Sequence, residues 1–201
     1  MITIIDYGMG NVGSIKNMLE RIGEPAIITN DIGEIREAVK IILPGVGAFD
    51  NAMTQINDSG LRSILDHKAL NEKIPILGIC LGMQLLTRGS EEGKELGLNW
   101  IAASSIKFPD SNRFKVPHMG WNIVHKSTRN ALTKGFEGET RFYFVHSYYV
   151  QVDDDKNSIL KTEYGLQFDS AIAQDNIYGV QFHPEKSHRF GMRVLTNFAE
   201  L

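Results

Sequence analysis

Along the first half of the chain, short apolar runs alternate with longer stretches in which apolar positions recur every three or four residues. "ITIID" (2–6) is continuous enough for a buried strand, and "NVGSIKNMLERIG" (11–23) sets Ile15, Met18, Leu19 and Ile22 on one helical stripe that Gly23 can stop. "PAIIT" (25–29), "KIILP" (40–44) and "IPILGI" (74–79) predict further strands, with helical stretches over 31–38 and 49–70 and another helix starting at 81. This alternation predicts parallel strands joined by right-handed crossovers. The second half changes character. "FYFVHSYYV" (142–150), "SILKTEY" (158–164), "FDSAIAQ" (168–174) and "IYGVQF" (177–182) are rich in β-branched and aromatic residues, and a last helix fits 189–201. No repeat and no Pro/Gly linker divides the chain, so the shift near residue 100 reads as a change of layer within one α/β domain spanning 1–201. The expectation is an open, mostly parallel sheet flanked by helices, with a more antiparallel C-terminal layer.

One stretch stands apart from this pattern. In "ILGICLGMQLL" (76–86) an apolar run changes from strand-like to helical spacing at Cys80, the single cysteine of the chain, with Gly78 and Gly82 on either side. G-x-C-x-G has the form of a nucleophile elbow, with sulfur in place of a hydroxyl. A sharp strand-to-helix turn exposes the nucleophile, the glycines leave room for close packing, and the helix start favours thiolate over thiol. The N–H of Leu81 can donate to an oxyanion, and the loop "PGVGAF" (44–49) offers a second donor through Gly45 or Gly47, at the carboxyl end of a neighbouring strand.

A thiolate needs a base, and the base needs an orienting group. Of six histidines, His183 is distinguished by its setting in "GVQFHPEKS" (179–187): it ends an apolar strand, Pro184 follows, and Glu185 lies two residues on. In an extended segment His183 and Glu185 share a face, so the carboxylate can hold one ring nitrogen while the other meets the thiol.

Composition narrows the alternatives. A net charge of −3, with no Lys/Arg cluster, gives no footprint for nucleic acid. No apolar segment reaches membrane-spanning length, "MITIIDYGMG" lacks the positive start of a signal peptide, and one cysteine forms no internal disulfide. A cytoplasmic location is the expectation, with no nucleic-acid or membrane partner, no metal and no cofactor.

The elbow "GICLGMQLL", the loop "PGVGAF" and the late "GVQFHPE" together resemble the triad-type, or class I, glutamine amidotransferases. "DYGMGN" (6–11), "VPHMGWN" (116–122), "FVHSYY" (144–149) and "HPEKS" narrow the likeness to the glutaminase subunits of imidazole glycerol phosphate synthase. The resemblance runs from residue 2 to the final helix. It implies hydrolysis of L-glutamine to glutamate and ammonia through a thioester on Cys80, with His183 as acid–base and Glu185 as its orienter. It also implies an oxyanion site at Gly47 and Leu81, and substrate contacts from Gln84, Ser147 and Tyr148. The implied partner is a separate (β/α)₈-barrel cyclase/synthase subunit of histidine biosynthesis, joined as a heterodimer. That subunit makes imidazole glycerol phosphate and an aminoimidazole carboxamide ribotide from the delivered ammonia. Asn11, Met119, Trp121 and Lys186 occupy motif positions that face it. After "HPEKS" the chain continues "HRFGMRVL", and His188 and Arg189 depart from the most typical pattern. A paralogous subunit feeding another acceptor, such as a sugar-aminating enzyme of surface polysaccharide synthesis, would share the same triad.

Three rival readings stand beside this one. "GMGNVG" (8–13) is a literal G-x-G-x-x-G between a strand and a helix, with Asp31 about twenty residues on. Read alone it suggests an NAD-dependent oxidoreductase. A cysteine peptidase or esterase would use the same thiol on another substrate, and a non-catalytic binding module would simply bury Cys80.

Overall fold

The computed structural model describes residues 1–201. Strand β1 (Ile2–Ile5) leads into helix α1 (Val12–Arg21), followed by β2 (Ala26–Thr29), α2 (Ile32–Arg36) and β3 (Ile41–Leu43). Helices α3 (Phe49–Asp58) and α4 (Leu61–Asp66) precede β4 (Ile76–Ile79), which runs into α5 (Leu81–Leu85). The remaining elements are β5 (Ala103–Lys107), β6 (His118–Ile123), β7 (His125–Lys126), β8 (Arg141–His146), β9 (Tyr148–Val152), β10 (Ser158–Tyr164), β11 (Leu166–Gln174), β12 (Ile177–Val180) and α6 (His188–Ala199).

The main sheet has the order β2-β1-β3-β4-β12-β11-β10-β7, with β5 and β9 attached beside β11. β1, β2, β3, β4 and β12 pair in parallel, and beyond β12 every pairing is antiparallel. The parallel strands are buried on both faces, as continuous Ile/Leu runs such as "ITII" and "ILGI" require. Two apolar layers result. One gathers Phe49, Met53, Leu65 and Leu85 under α3–α5, and the other gathers Ile15, Leu19, Val194 and Phe198 under α1 and α6. Each such side chain contributes about 1.5–3 kcal/mol on leaving water. No helix is long and apolar enough to cross a membrane.

Several expectations change in detail. The stretch 49–70 is broken, because Gly60 takes a left-handed φ of 76° that ends α3 and starts α4, and residues 67–71 continue as a π-helical turn. The helix after Cys80 is short, ending at Leu85. The run 142–150 is two strands in different sheets: β8 pairs with β6 in a two-stranded ribbon, and β9 joins the main sheet after a break at Ser147. β5, β6 and β7 were not expected from the pattern, since "ASSIK" and "HMGWNI" lack a clean alternation.

Candidate active site

β4 lies between β3 and β12, so its carboxyl end sits at the middle of the parallel sheet. There Cys80 adopts φ 55° and ψ −109°, a sparsely populated conformation that costs on the order of 1–3 kcal/mol and is held by its surroundings. Its N–H donates to the Val180 carbonyl at 2.7 Å. The flanking glycines are needed for space. A Cβ on Gly82 would lie 1.9 Å from the Leu43 carbonyl oxygen, and one on Gly78 would lie 2.6 Å from that of Gly82. The elbow is therefore wedged against the end of β3. Gly45, in the loop after β3, is equally confined, because a Cβ there would lie 2.7 Å from the Tyr7 hydroxyl and 2.8 Å from the Leu81 Cβ. Gly47 takes φ 117°, which a side chain would resist.

His183 follows β12 and is buried, as is the Glu185 carboxylate. Its Nδ1 lies 2.8 Å from Glu185 Oε1. The pair does not share a face of an extended segment, as the spacing suggested. Pro184 opens a 3₁₀ turn over Pro184–Lys186 that curls Glu185 back to the ring. Ser187 clamps this turn, donating to the His183 carbonyl at 2.6 Å and accepting from the Tyr143 N–H of β8 at 3.0 Å. The other ring nitrogen, Nε2, is buried and takes no hydrogen-bond partner. The Cys80 sulfur instead approaches the Val145 carbonyl at 3.8 Å and accepts from Gln181 Nε2 at 3.7 Å. Sulfur and imidazole are thus neighbours without a closed S–H···N bond. Burial opposes charge on His183, but Cys80 and Glu185 outweigh it and lift the imidazole to about 10. Burial, followed by the nearby Cys80, likewise raises the Tyr7 phenol.

A cavity of about 360 Å³ opens over the sulfur, within the range of small-molecule sites. Gly47, Cys80, Leu81, Gln84, Ser147 and Tyr148 all border it, so the expected oxyanion and substrate residues surround one space with the thiol. Leu81 opens α5, where an N–H has no intrahelical acceptor. The amide nitrogen of Gln84 donates to the Tyr148 carbonyl and to Gln181 Oε1, both at 3.2 Å. No hydrogen bond engages its side-chain oxygen Oε1, so Gln84 offers the cavity an acceptor.

Sequence reasoning missed Glu92, the one acidic side chain on the cavity. Its Oε2 accepts from the Phe49 N–H at 2.9 Å, and its loop is tied to α3 by Asp50, which accepts from the N–H groups of Lys94 and Glu95. Those bonds hold the Asp50 carboxyl below its usual range. No motif marks "EEGKEL"; only the fold brings it to the sulfur. Gln181, fully buried, was also missed.

The four residues expected to face a partner are exposed. Met119 and Trp121, at 61% and 43% exposure, lie two apart on β6, Lys186 sits over the Tyr143 ring that also packs on Trp121, and Asn11 precedes α1 without capping it. His188 stacks on Trp121 with centroids 5.7 Å apart. The dinucleotide pattern finds no support at its acid, because the Asp31 carboxylate caps α2 by accepting from the Glu34 N–H at 2.9 Å.

The model of the class-I glutamine amidotransferase family matches residues 3–201. Imidazole glycerol phosphate synthase subunit HisH 2 of Methanococcus maripaludis is 60% identical over 198 residues, 98% of each chain. The subunit of the same name from Pseudomonas aeruginosa is 47% identical over the full length of both. Among solved structures, a chain of PurLQS from Thermotoga maritima superposes with a TM-score of 0.75 at 18% identity, covering 99% of this chain and 97% of that one, a likeness of fold alone. The chain therefore belongs to the class-I glutamine amidotransferases and, within them, to the HisH subunits of imidazole glycerol phosphate synthase.

Proposed function

We propose that Cys80, His183 and Glu185 form the working triad of a glutaminase, and that the ammonia passes to a (β/α)₈-barrel cyclase/synthase subunit bound as a heterodimer partner in the cytoplasm. Glutamine enters the cavity with its carboxamide over the sulfur. Its α-ammonium group meets the free side-chain carbonyl oxygen of Gln84 and the carboxylate of Glu92, while Ser147 and Tyr148 line the same cavity. His183 Nε2 holds the proton taken from the thiol, Glu185 steadies that imidazolium, and the sulfur attacks the carboxamide carbon as the thiolate. Negative charge gathers on the carboxamide oxygen, facing the N–H groups of Leu81 and the Gly47 loop. Collapse of this adduct expels ammonia with the proton from His183 and leaves a thioester. Water activated by the same imidazole then releases glutamate and restores the thiol.

The barrel subunit uses the ammonia to form imidazole glycerol phosphate and the aminoimidazole carboxamide ribotide. The exposed Met119, Trp121 and Lys186, with Asn11, supply the docking face.

The observation that carries this reading is the buried His183–Glu185 pair at 2.8 Å, beside an elbow thiol that opens into a cavity. Cys80→Ala in the assembled complex should abolish glutamine-dependent synthesis and leave ammonia-dependent synthesis at wild-type rate. Loss of both activities would refute the assignment.

A further inference from the structure

Polar groups running from the cavity wall at His146 and Tyr148 to half-buried Asn122 form one ordered chain. Asn122 on β6 donates from Nδ2 to the Glu163 carbonyl at 3.0 Å and to His118 Nε2 at 3.2 Å. His118 Nδ1 lies 2.9 Å from His146 Nε2, and His146 Nδ1 lies 2.7 Å from the Tyr148 carbonyl oxygen. That carbonyl can only accept, which fixes every proton upstream. His146 must carry its hydrogen on Nδ1, so its Nε2 accepts from His118 Nδ1–H, and His118 Nε2 accepts from Asn122. Both rings are neutral in this arrangement. Burial among aromatic rings enforces this, holding His118 near 4 and His146 near 3. His118 stacks between Phe144 and Tyr164, at centroid distances of 4.8 and 4.0 Å.

The same Tyr148 carbonyl accepts from Gln84, whose second N–H goes to Gln181 Oε1. With its oxygen occupied by a donor, Gln181 must turn its NH₂ toward the Cys80 sulfur, 3.7 Å away. Nothing in this sequence of bonds can reverse without placing two donors or two acceptors face to face. We infer that Gln181 is a further catalytic residue, an N–H donor that holds the attacking sulfur and steadies its anionic form, and that Gln84, fixed in turn by the acceptor-only Tyr148 carbonyl, is the positioning residue that locks the Gln181 amide in that sense. Gln181 acts before and after the acyl step: its bond is strongest while the sulfur bears charge and weakens once the thioester forms, so it raises the share of thiolate before attack and eases departure of the sulfur when the acyl group is released. The inference deepens the glutaminase reading and rests on it for its role in turnover.

Cys80 is the only thiol in the chain, so iodoacetamide, itself a small primary amide, reads one sulfur. Carbamidomethylation rates measured from pH 5 to pH 10 on the full chain test the assignment. Gln181→Met, of similar volume, should react about tenfold more slowly at pH 7, the loss expected for a hydrogen bond to a charged group. Its rate should converge with wild type at high pH. Gln181→Glu, which keeps the shape, should be slower still near neutrality, since a carboxylate replaces the donor. Gln84→Met, which removes the donor that occupies Gln181 Oε1, should lose a few-fold in the same direction. Superimposable rate–pH curves for a folded Gln181→Met would overturn the inference, and so would equal slowing at every pH, which would mean restricted access. If Gln181→Met does not fold, Gln181→Glu and Gln84→Met decide on the same curves. Glutamine turnover by the wild-type complex is measured alongside. Its absence would remove the glutaminase reading and leave the sulfur's donor as measured.

Discussion

At Gly82 a single hydrogen separates β3 from the elbow helix. An alanine there would push a methyl group to 1.9 Å from the Leu43 carbonyl oxygen, and backbone cannot swing aside as a side chain can. Gly82→Ala should lower stability by about 2–3 kcal/mol in urea denaturation, at the upper end of overpacking costs, and should displace Cys80 with it. The side chain at Ser187 acts in the opposite way, by joining. Ser187→Ala leaves the part-buried Tyr143 N–H without its acceptor, at a cost of about 1–2 kcal/mol. Because the same hydroxyl fixes the His183 carbonyl, kcat for glutamine hydrolysis should fall more than KM rises. Residues of this kind divide sharply in how far the chain announces them. Cys80 is legible because two glycines and a change of hydrophobic period coincide there. Gln181 and Glu92 are not, because each is an ordinary polar residue whose partner lies far away along the chain.

Elements decide how the site is assembled. The parallel strands were legible from continuous Ile and Leu runs, since burial on both faces leaves no polar alternation to confuse them. The break at Ser147 was not, because the run 142–150 holds neither Gly nor Pro. What splits it is tertiary: β8 pairs with β6 through the register His118↔His146, while β9 leaves to pair with β5 and β11. The turn carrying Glu185 was likewise hidden, since a two-residue spacing fits an extended strand and a 3₁₀ turn equally well. At this scale Asp50 matters most, because it anchors the loop of Glu92 to the start of α3. Asp50→Ala should raise KM for glutamine several-fold with little change in kcat. Steady-state kinetics of the complex separate the two parameters, and an unchanged KM would show that Glu92 does not depend on this anchor.

Over the whole molecule, three buried histidines give stability a shape with pH. His118 and His146 sit well below the ordinary histidine value of about 6.5, so the stability that goes with their neutral forms is complete above that value and is lost as pH falls toward 4 and 3. His183 lies above it, so its contribution is complete below about 6.5 and is lost as pH rises through about 10. Urea unfolding should therefore be most difficult near pH 6.5 and easier on both sides. His183→Gln should flatten the alkaline limb and leave the acidic one, and an unaltered alkaline limb would show that the His183 charge does not couple to folding.

The two tryptophans lie in opposite surroundings. Trp100 is buried, with its indole N–H on Asp66 at 2.7 Å, whereas Trp121 stands open to solvent on β6 against His188. Intrinsic fluorescence consequently carries a constant blue background from one indole and a solvent-sensitive red signal from the other. Any protein that settles on the β6 ribbon should shift the emission maximum to shorter wavelength without a dye or a label, and Trp121→Phe should make the same titration silent.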